Sequence, residues 1–512
     1  MRVFRRILPG SDREAPMILD GRDIGDGGVI ATQVCIVGSG PAGITAALLL
    51  QKAGYKVVLI EGGRNPGYYQ ESWAEKNLLY AGQAEGLFTT NEPDFLIQPY
   101  AGQSARGWER ERVYGGTSTH WGGQTRPLDP ITFEARPGFP GWPITYEDLI
   151  PYYAQAAKLC VLHGDDFSAD YWAGVLSAEV PDIAGFDTEM YQFMGGAYTN
   201  FATRTFDGVT AAEAIAEIIV NATLLEIQHA GGVVQGLRVA SLDTSFPPAK
   251  ATEFTITADV YVLACGAVEN ARQLLLSEAG NDQVGRYFQC HPLSGGSALS
   301  VSGNFISPAA MRLIKGQTPT GTWTDDNGVT VQGRFSPSAD IQRQYGIGSC
   351  WFRPYTSSYY FEMRPNDESR ITLADTVDPV FGQPQTRIRW EVGPGDQHTY
   401  ETSTLLFQEA IGALGGQFYY PSWEDLKSQL IVNGHHIGTT RMSADPAKGA
   451  VDADLRVHGL DNLYVAGSSV FPQGGISNPT LTIVALSVRL AEHLGERLGR
   501  ARPLRTAELE DA

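Results

Sequence analysis

Apolar, β-branched residues run from Gln33 to Val37, give way to a glycine-rich turn, and resume with helical spacing from Ala42 to about Ala53. Gly54 closes that helix, and a second apolar run, Val57 to Ile60, ends at Glu61. Strand, turn, helix and strand in this order make a βαβ unit. Periodicity predicts further helices over 145–163 and 209–219, and a long one from Pro479 to Leu494. Residues 223–265 alternate like a small sheet ending in a buried strand, Tyr261 to Cys265, and Leu463 to Ala466 is another short buried strand. From about Gly296 to Val392 the chain becomes rich in Thr, Tyr, Trp and Gly with alternating apolar positions, which predicts β structure and a second domain. The first thirty residues read as a polar N-terminal arm and the last ten as a frayed acidic tail.

Composition narrows the picture. The chain has 512 residues, 43% hydrophobic and 19% charged, a globular balance with room for two or three domains at roughly 150 residues each. Its 38 basic and 57 acidic residues leave a net charge of −19. That surplus repels phosphate backbones, so no nucleic-acid partner is expected. No apolar run reaches the roughly 18 residues needed to span a bilayer, so no membrane partner is expected either. Arg5 and Arg6 have no apolar core behind them, unlike a secretory signal. Five cysteines without a CxxC spacing exclude a fully paired disulfide framework and a cysteine-only zinc site, and point to a reducing, cytoplasmic setting.

The turn after the first strand reads Gly38-Ser39-Gly40-Pro41-Ala42-Gly43, a G-x-G-x-x-G pattern. Gly38 permits the tight turn, Gly40 lets backbone approach a pyrophosphate, and Gly43 lets the helix pack closely on the strand. The N-terminus of that helix then faces the anion. Glu61 lies eighteen residues beyond Gly43 at the end of the next strand, where a carboxylate accepts from a ribose hydroxyl.

Further motifs follow in order. They are Val113-Tyr114-Gly115-Gly116-Thr117-Ser118-Thr119-His120-Trp121, then Gly266-Ala267-Val268-Glu269-Asn270-Ala271-Arg272, then Gly285-Arg286-Tyr287-Phe288 with His291-Pro292. His435-His436-Ile437-Gly438-Thr439-Thr440-Arg441-Met442 and Gly475-Ile476-Ser477-Asn478-Pro479-Thr480-Leu481-Thr482 complete the set. Jointly they resemble the glucose–methanol–choline (GMC) oxidoreductase family. Glu362 and Pro365 resemble its E-x-x-P stretch. The resemblance implies FAD as cofactor and an α/β plus α+β fold, in which a discontinuous Rossmann-like FAD-binding domain joins a substrate domain on an antiparallel sheet. The implied division is 30–150, 206–295 and 431–500 for the FAD domain, with 151–205 and 296–430 for the substrate domain. Gly115, Gly116, Thr117, Ser118, Thr119, His120, Trp121 and Gly122 would lie along the isoalloxazine. Gly266, Ala267, Gly467, Ser468, Asn478, Pro479 and Thr480 would complete the cofactor site. Ser118-Thr119-His120-Trp121 is most similar to the pyranose oxidase branch, where the matching histidine can be bonded to the flavin; for His120 a covalent bond, a contact and plain packing all stay open.

Alcohol oxidation needs a hydride acceptor and a base for the hydroxyl proton, and a histidine suits the second role near neutral pH. His435, first in H-x-x-G-T, is the expected base, His436 a candidate substrate contact, and Asn478 the expected holder of the nascent oxygen. Asn478 also suits a helix N-cap with proline at N1. The aromatics of the second domain read as core or as a platform for sugar rings. No metal site is expected. The implied reaction is oxidation of a ring hydroxyl of a pyranose or glycoside to a keto sugar, with O2 or another electron acceptor closing the cycle and the oligomeric state left open. A sterol or simple-alcohol oxidoreductase and a non-redox flavoprotein of the same fold are the alternatives.

Overall fold

In the computed structural model, which describes residues 17–63, 112–243, 249–294, 299–353, 359–378, 380–432 and 434–499, two sheets of different construction carry the chain. The first has eight strands drawn from three separated stretches of sequence. Its order is Met17–Asp20, Glu217–Val220, Val57–Ile60, Val29–Val37, Lys250–Leu263, Val233–Leu242 and Thr223–Ala230, with Leu463–Val465 also paired to Lys250–Leu263. The first five of these strands and Leu463–Val465 pair in parallel. Parallel strands are covered on both faces and therefore read as unbroken apolar runs; all four residues of Val57–Ile60 are buried. The strand Lys250–Leu263 keeps Val29–Val37 on one side and changes partner on the other. It pairs with Val233–Leu242 as far as Ile256 and with Leu463–Val465 from Tyr261 onward. Through this exchange Ile60, Val37, Leu263 and Val465 end in one row.

The second sheet is antiparallel and seven-stranded, in the order Leu430–Ile431, Leu293–Ser294, Tyr359–Phe361, Cys350–Phe352, Thr330–Pro337, Phe186–Phe193 and Gln124–Thr125. Period-two alternation gives it two distinct faces. Phe335 and Phe352 pair in register and face the helix Pro394–Ala413. Phe407 of that helix stacks on Phe352 at 4.2 Å between ring centroids and also meets Phe186 at 5.0 Å. The opposite face carries the cross-strand pair Trp351–Tyr360, stacked at 4.1 Å, with the Arg334 and Arg353 guanidiniums 4.2 and 4.7 Å from the Trp351 ring centroid. Trp351 is thus packed between cations and a second ring, and the aromatics divide between core and pocket wall according to strand parity.

Several expectations change. The stretch 209–219 is not one helix: a single turn, Ala211–Ala214, ends at extended Ile215, and Glu217–Val220 is a central parallel strand. A short apolar run cannot be assigned by periodicity alone, and the open slot between Met17–Asp20 and Val57–Ile60 decides it for strand. Residues 17–20, read as part of an arm, form the strand at the edge of this sheet; residues 1–16 and the acidic tail lie outside the described residues. The expected helix over 145–163 is Tyr146–Leu159, started by a Thr145–Asp148 capping box. No helix among the described residues is long and apolar enough to cross a membrane.

Phe407 fills the joint between the helix and the second sheet and is fully buried. Phe407→Ala should cost about 3–5 kcal/mol of stability, measured by denaturant unfolding. A loss below about 1 kcal/mol would mean that other contacts seat this helix.

Candidate active site

The row of strand ends places four chain crossings side by side. Val37 leads into Gly38, Ile60 into Glu61, Leu263 into Ala264 and Cys265, and Val465 into Ala466 and Gly467. In parallel sheets this carboxyl edge is where ligands bind. Here a cavity of about 540 Å³ opens beyond it. Gly38 adopts φ +102°, and a Cβ there would lie 2.5 Å from the Ala264 carbonyl oxygen. A Cβ on Gly43 would collide with the Gly38 carbonyl, whereas one on Gly40 would meet nothing within 4 Å. The second glycine therefore faces open space, as a backbone that receives a pyrophosphate must. Three helices, Pro41–Lys52, Gly266–Leu276 and Thr480–Arg497, begin at the cavity wall and turn their positive ends toward it. Glu61 also lines the cavity and is nearly buried; its carboxylate accepts from Ser39 N–H at 3.1 Å, Ser39 Oγ at 2.6 Å and Gly63 N–H at 2.8 Å. Open glycine backbone, three helix N-termini and an acid at the ribose position fit an FAD.

The other end of the cavity is built from the H-x-x-G-T segment. Gly438 takes φ +91°, and any Cβ there would collide with the Tyr287 carbonyl. Two backbone hydrogen bonds join Gln289 and Ile437, at 3.0 and 2.9 Å, in an antiparallel bridge. Two residues along each strand of that bridge, His291 and His435 stand opposite one another, with Nδ1 to Nδ1 at 2.9 Å. On its other side, His435 Nε2 lies 3.0 Å from Asn478 Nδ2. Burial holds the His435 pKa well below its ordinary value, and the positive charges that His291, His436 and Arg334 carry or can acquire push in the same direction. Burial lowers His291 to about 4. Both rings are therefore neutral at physiological pH.

The loop that presents Asn478 is held from two directions. Glu362, fully buried, accepts from Gly475 N–H at 2.9 Å and Ser349 N–H at 3.0 Å, with Arg136 3.5 Å away. Ser477 Oγ donates to the Pro127 carbonyl at 2.8 Å and accepts from Arg126 at 3.0 Å. Asn478 does not cap the following helix. Pro479 occupies the cap position, the helix runs Thr480–Arg497, and no side chain caps it. The Asn478 amide is turned toward His435 instead, because the braced loop aims it there.

A family profile described as GMC oxidoreductase matches residues 365–487, and one for an NAD(P)-binding Rossmann-like domain matches residues 36–96. Over nearly its whole length the chain is similar to 2-methyl-1,2-propanediol dehydrogenase from Mycolicibacterium austroafricanum, 23% identical across 91% of this chain and 95% of that one. The GMC oxidoreductase profile at residues 365–487 and the near full-length relatives make the chain similar to GMC oxidoreductases from end to end. The chain is also similar to pyridoxine 4-oxidase from Microbacterium luteolum, 24% identical across 86% of this chain and 94% of the relative. C-glycoside 3-oxidase from Arthrobacter globiformis is 31% identical, but over 26% of this chain and 25% of the relative. Among solved structures, pyridoxine 4-oxidase from Mesorbium loti superposes with a TM-score of 0.56 at 18% identity, covering 91% and 99% of the two chains. Formate oxidase gives 0.55 at 16% identity, covering 93% and 99%. At these identities the likeness establishes the fold alone: a Rossmann-like FAD-binding unit with an antiparallel partner sheet.

Within this GMC fold, Gly38, Gly40, Pro41, Ala42, Glu61, Gly116, Thr117, Ser118, His120, Trp121, Gly122, Gly266, Ala267, Gly467, Ser468, Pro479 and Thr480 line the cavity together with His435, His436 and Asn478. Gly43, Gly115 and Thr119 do not. Gly43 serves the approach of helix to strand, Gly115 turns the chain at φ +102°, and Thr119 Oγ1 donates to the Gly116 carbonyl. Sequence reasoning missed His291, Trp351, Arg353 and Tyr360 as wall residues. The Gly285–Pro292 motif carried a signal for His291, and Trp351 and Tyr360 belong to the aromatics read as core or platform; nothing marked Arg353.

A missing N-cap costs about 1 kcal/mol, and serine replaces asparagine well in that role. Since Asn478 caps nothing, Asn478→Ser and Asn478→Ala should unfold at the same denaturant concentration. A serine variant clearly more stable than the alanine one would return Asn478 to the cap.

Proposed function

We propose that this GMC enzyme oxidises a secondary alcohol, a ring hydroxyl of a pyranose or glycoside, to the ketone. The observation that carries the reading is the His435–Asn478 pair at 3.0 Å, set in the same cavity as the glycine cradle. FAD, when bound, supplies the acceptor for the hydride that leaves the carbinol carbon. His435 Nε2 takes the hydroxyl proton, and the Asn478 amide donates to the oxygen as it becomes a carbonyl. Neutral histidine is the competent form, and a buried site that keeps it neutral keeps it ready. His436 shares the wall and stands as a substrate contact. Its backbone carbonyl accepts from Ser468 Oγ at 2.6 Å, which fixes where the segment runs. His120 Nδ1 meets Thr119 Oγ1 at 3.2 Å, and its ring faces the cavity where the isoalloxazine would lie. Acid precipitation of the holoenzyme separates its two roles: colour in the pellet assigns a bond to the flavin, colour in the supernatant a contact alone. The electron acceptor of the second half-reaction is O2 or another acceptor. The five free cysteines fit a cytoplasmic setting.

Support for a glycoside comes from the stretch shared with C-glycoside 3-oxidase and from the Ser118–Trp121 motif. A simple-alcohol reading is favoured instead by the full-length similarity to 2-methyl-1,2-propanediol dehydrogenase. An anaerobic bleaching screen with D-glucose, methyl β-D-glucoside, 2-methyl-1,2-propanediol, pyridoxine and cholesterol decides between them. Bleaching by the glucosides alone supports the first reading, and bleaching by the diol alone overturns it.

With whichever alcohol bleaches the protein, His435→Ala should slow flavin reduction by ~10²–10⁴-fold while FAD remains bound. Unchanged reduction would remove His435 from the mechanism. The depressed His435 pKa also sets a pH profile. The folded enzyme keeps this ring unprotonated as pH falls through 6.5, so the rate of flavin reduction should hold its plateau there and decline only at more acidic pH. An acid limb centred at or above 6.5 in anaerobic stopped-flow traces would contradict the neutral-base assignment.

A further inference from the structure

We infer that His291 is a positioning residue that fixes the tautomer of His435, holding the proton on Nδ1 so that Nε2 keeps a lone pair, which the Asn478 amide engages here and a substrate hydroxyl would take over. The inference rests on the reading of His435 as the base and follows from the direction of two hydrogen bonds. Two neutral imidazoles joined Nδ1 to Nδ1 at 2.9 Å share a single proton, so one ring donates and the other accepts. Which does so is decided at the Asn478 end of the pair.

At the His435 end, the Asn478 amide is oriented with Nδ2 toward Nε2. An amide nitrogen only donates, so Nε2 accepts and the His435 proton sits on Nδ1. At the His291 end, the backbone of Gly474 and Gly475 acts on the ring as an acceptor does, favouring its protonated form. The Cβ that Gly474 lacks would lie 3.4 Å from His291 Nε2, which places that backbone beside this nitrogen. His291 Nε2 makes no hydrogen bond among the described residues. A proton on His291 Nε2 leaves His291 Nδ1 as the acceptor. The Asn478 end fixes the direction, and the His291 end is compatible with it.

The chain provides this contact by construction. The Gln289–Ile437 bridge sets residues 291 and 435 opposite each other, and Glu362 holds the Gly475 end of the loop that carries Asn478. When His435 Nε2 takes the hydroxyl proton it becomes a cation whose Nδ1–H points at the His291 lone pair. The groups that face His435 are His291, His436 and Arg334. None is a carboxylate, so the acceptor behind the base is a neutral ring where many catalytic histidines have an acid. Such a partner orients the base without raising its proton affinity as a carboxylate would.

The direct test needs no substrate. In ¹⁵N-histidine-labelled holoenzyme, with resonances assigned by comparison with His435→Gln and His291→Gln, His435 should carry its proton on Nδ1 and His291 on Nε2. Protonated Nε2 on His435 in the wild type overturns the inference, whether or not any variant folds. In His291→Leu, which offers no acceptor, His435 should lose its single tautomer. Flavin reduction by the alcohol that bleaches the wild type should then fall at least about 10-fold with FAD content unchanged. His291→Gln, whose carbonyl oxygen can accept from Nδ1–H, should recover most of the rate. Equal losses in the leucine and glutamine variants, or full activity in the leucine variant, would make His291 a packing residue. If His435→Ala proves fully active, the base assignment fails while the tautomer result still stands; if His435→Ala is slow and His291→Leu is not, this inference alone fails.

Discussion

The register that ends Ile60, Val37, Leu263 and Val465 in one row is the constraint on which the rest of the structure depends. Each parallel strand must deliver its chain to the same edge, and each chain leaves that edge through glycine or a tightly bonded turn. Gly38, Glu61, Cys265 and Gly467 become neighbours although more than four hundred residues separate the first from the last. The exchange of partners along Lys250–Leu263 makes room for the late strand Leu463–Val465. Asn270 then stitches the join: its Oδ1 accepts from Cys265 N–H at 2.8 Å, and its Nδ2 donates to the Ala466 carbonyl at 3.1 Å. A buried amide satisfied this way locks together two motif segments that the pairing of Leu263 with Val465 brings side by side.

The antiparallel sheet contributes through parity. One face is sealed by Phe407 and its aromatic neighbours, and the other brings Trp351, Tyr360 and the two arginines toward the cavity. Arg334 is fully buried, and its charge acts on His435. A fixed positive field near the base favours the neutral imidazole before reaction. It also favours negative charge that develops on substrate oxygen. The same field opposes the imidazolium that forms, so it keeps the resting base neutral and lowers its proton affinity.

Hydrogen bonding then selects one arrangement of the histidines. Burial alone would leave His435 neutral with its proton on either nitrogen. The Asn478 amide on one side and His291 on the other remove that freedom, and the braced loop 474–479 keeps both partners in place. Asn478 is turned to this purpose at the expense of the cap that its position before Pro479 suggested.

Local pattern by itself determined the βαβ unit, the G-x-G-x-x-G turn with Glu61, the presence of a helix within 145–163 and the order of the family motifs. Each is a property of neighbouring residues: apolar period, glycine where φ is positive or backbone must approach closely, acid at the end of a strand. Tertiary structure alone decided that 217–220 is a strand, since a short β-branched run takes whichever form fills the slot beside it. It alone paired His291 with His435, because a bridge between Gln289 and Ile437 is a long-range contact that no local spacing encodes. It also sorted the aromatics of the second sheet into core and wall, which depends on the face covered by the helix Pro394–Ala413. Sequence carried the residue types that the chemistry needs; the packing of distant segments set which of them touch, and in which direction each proton points.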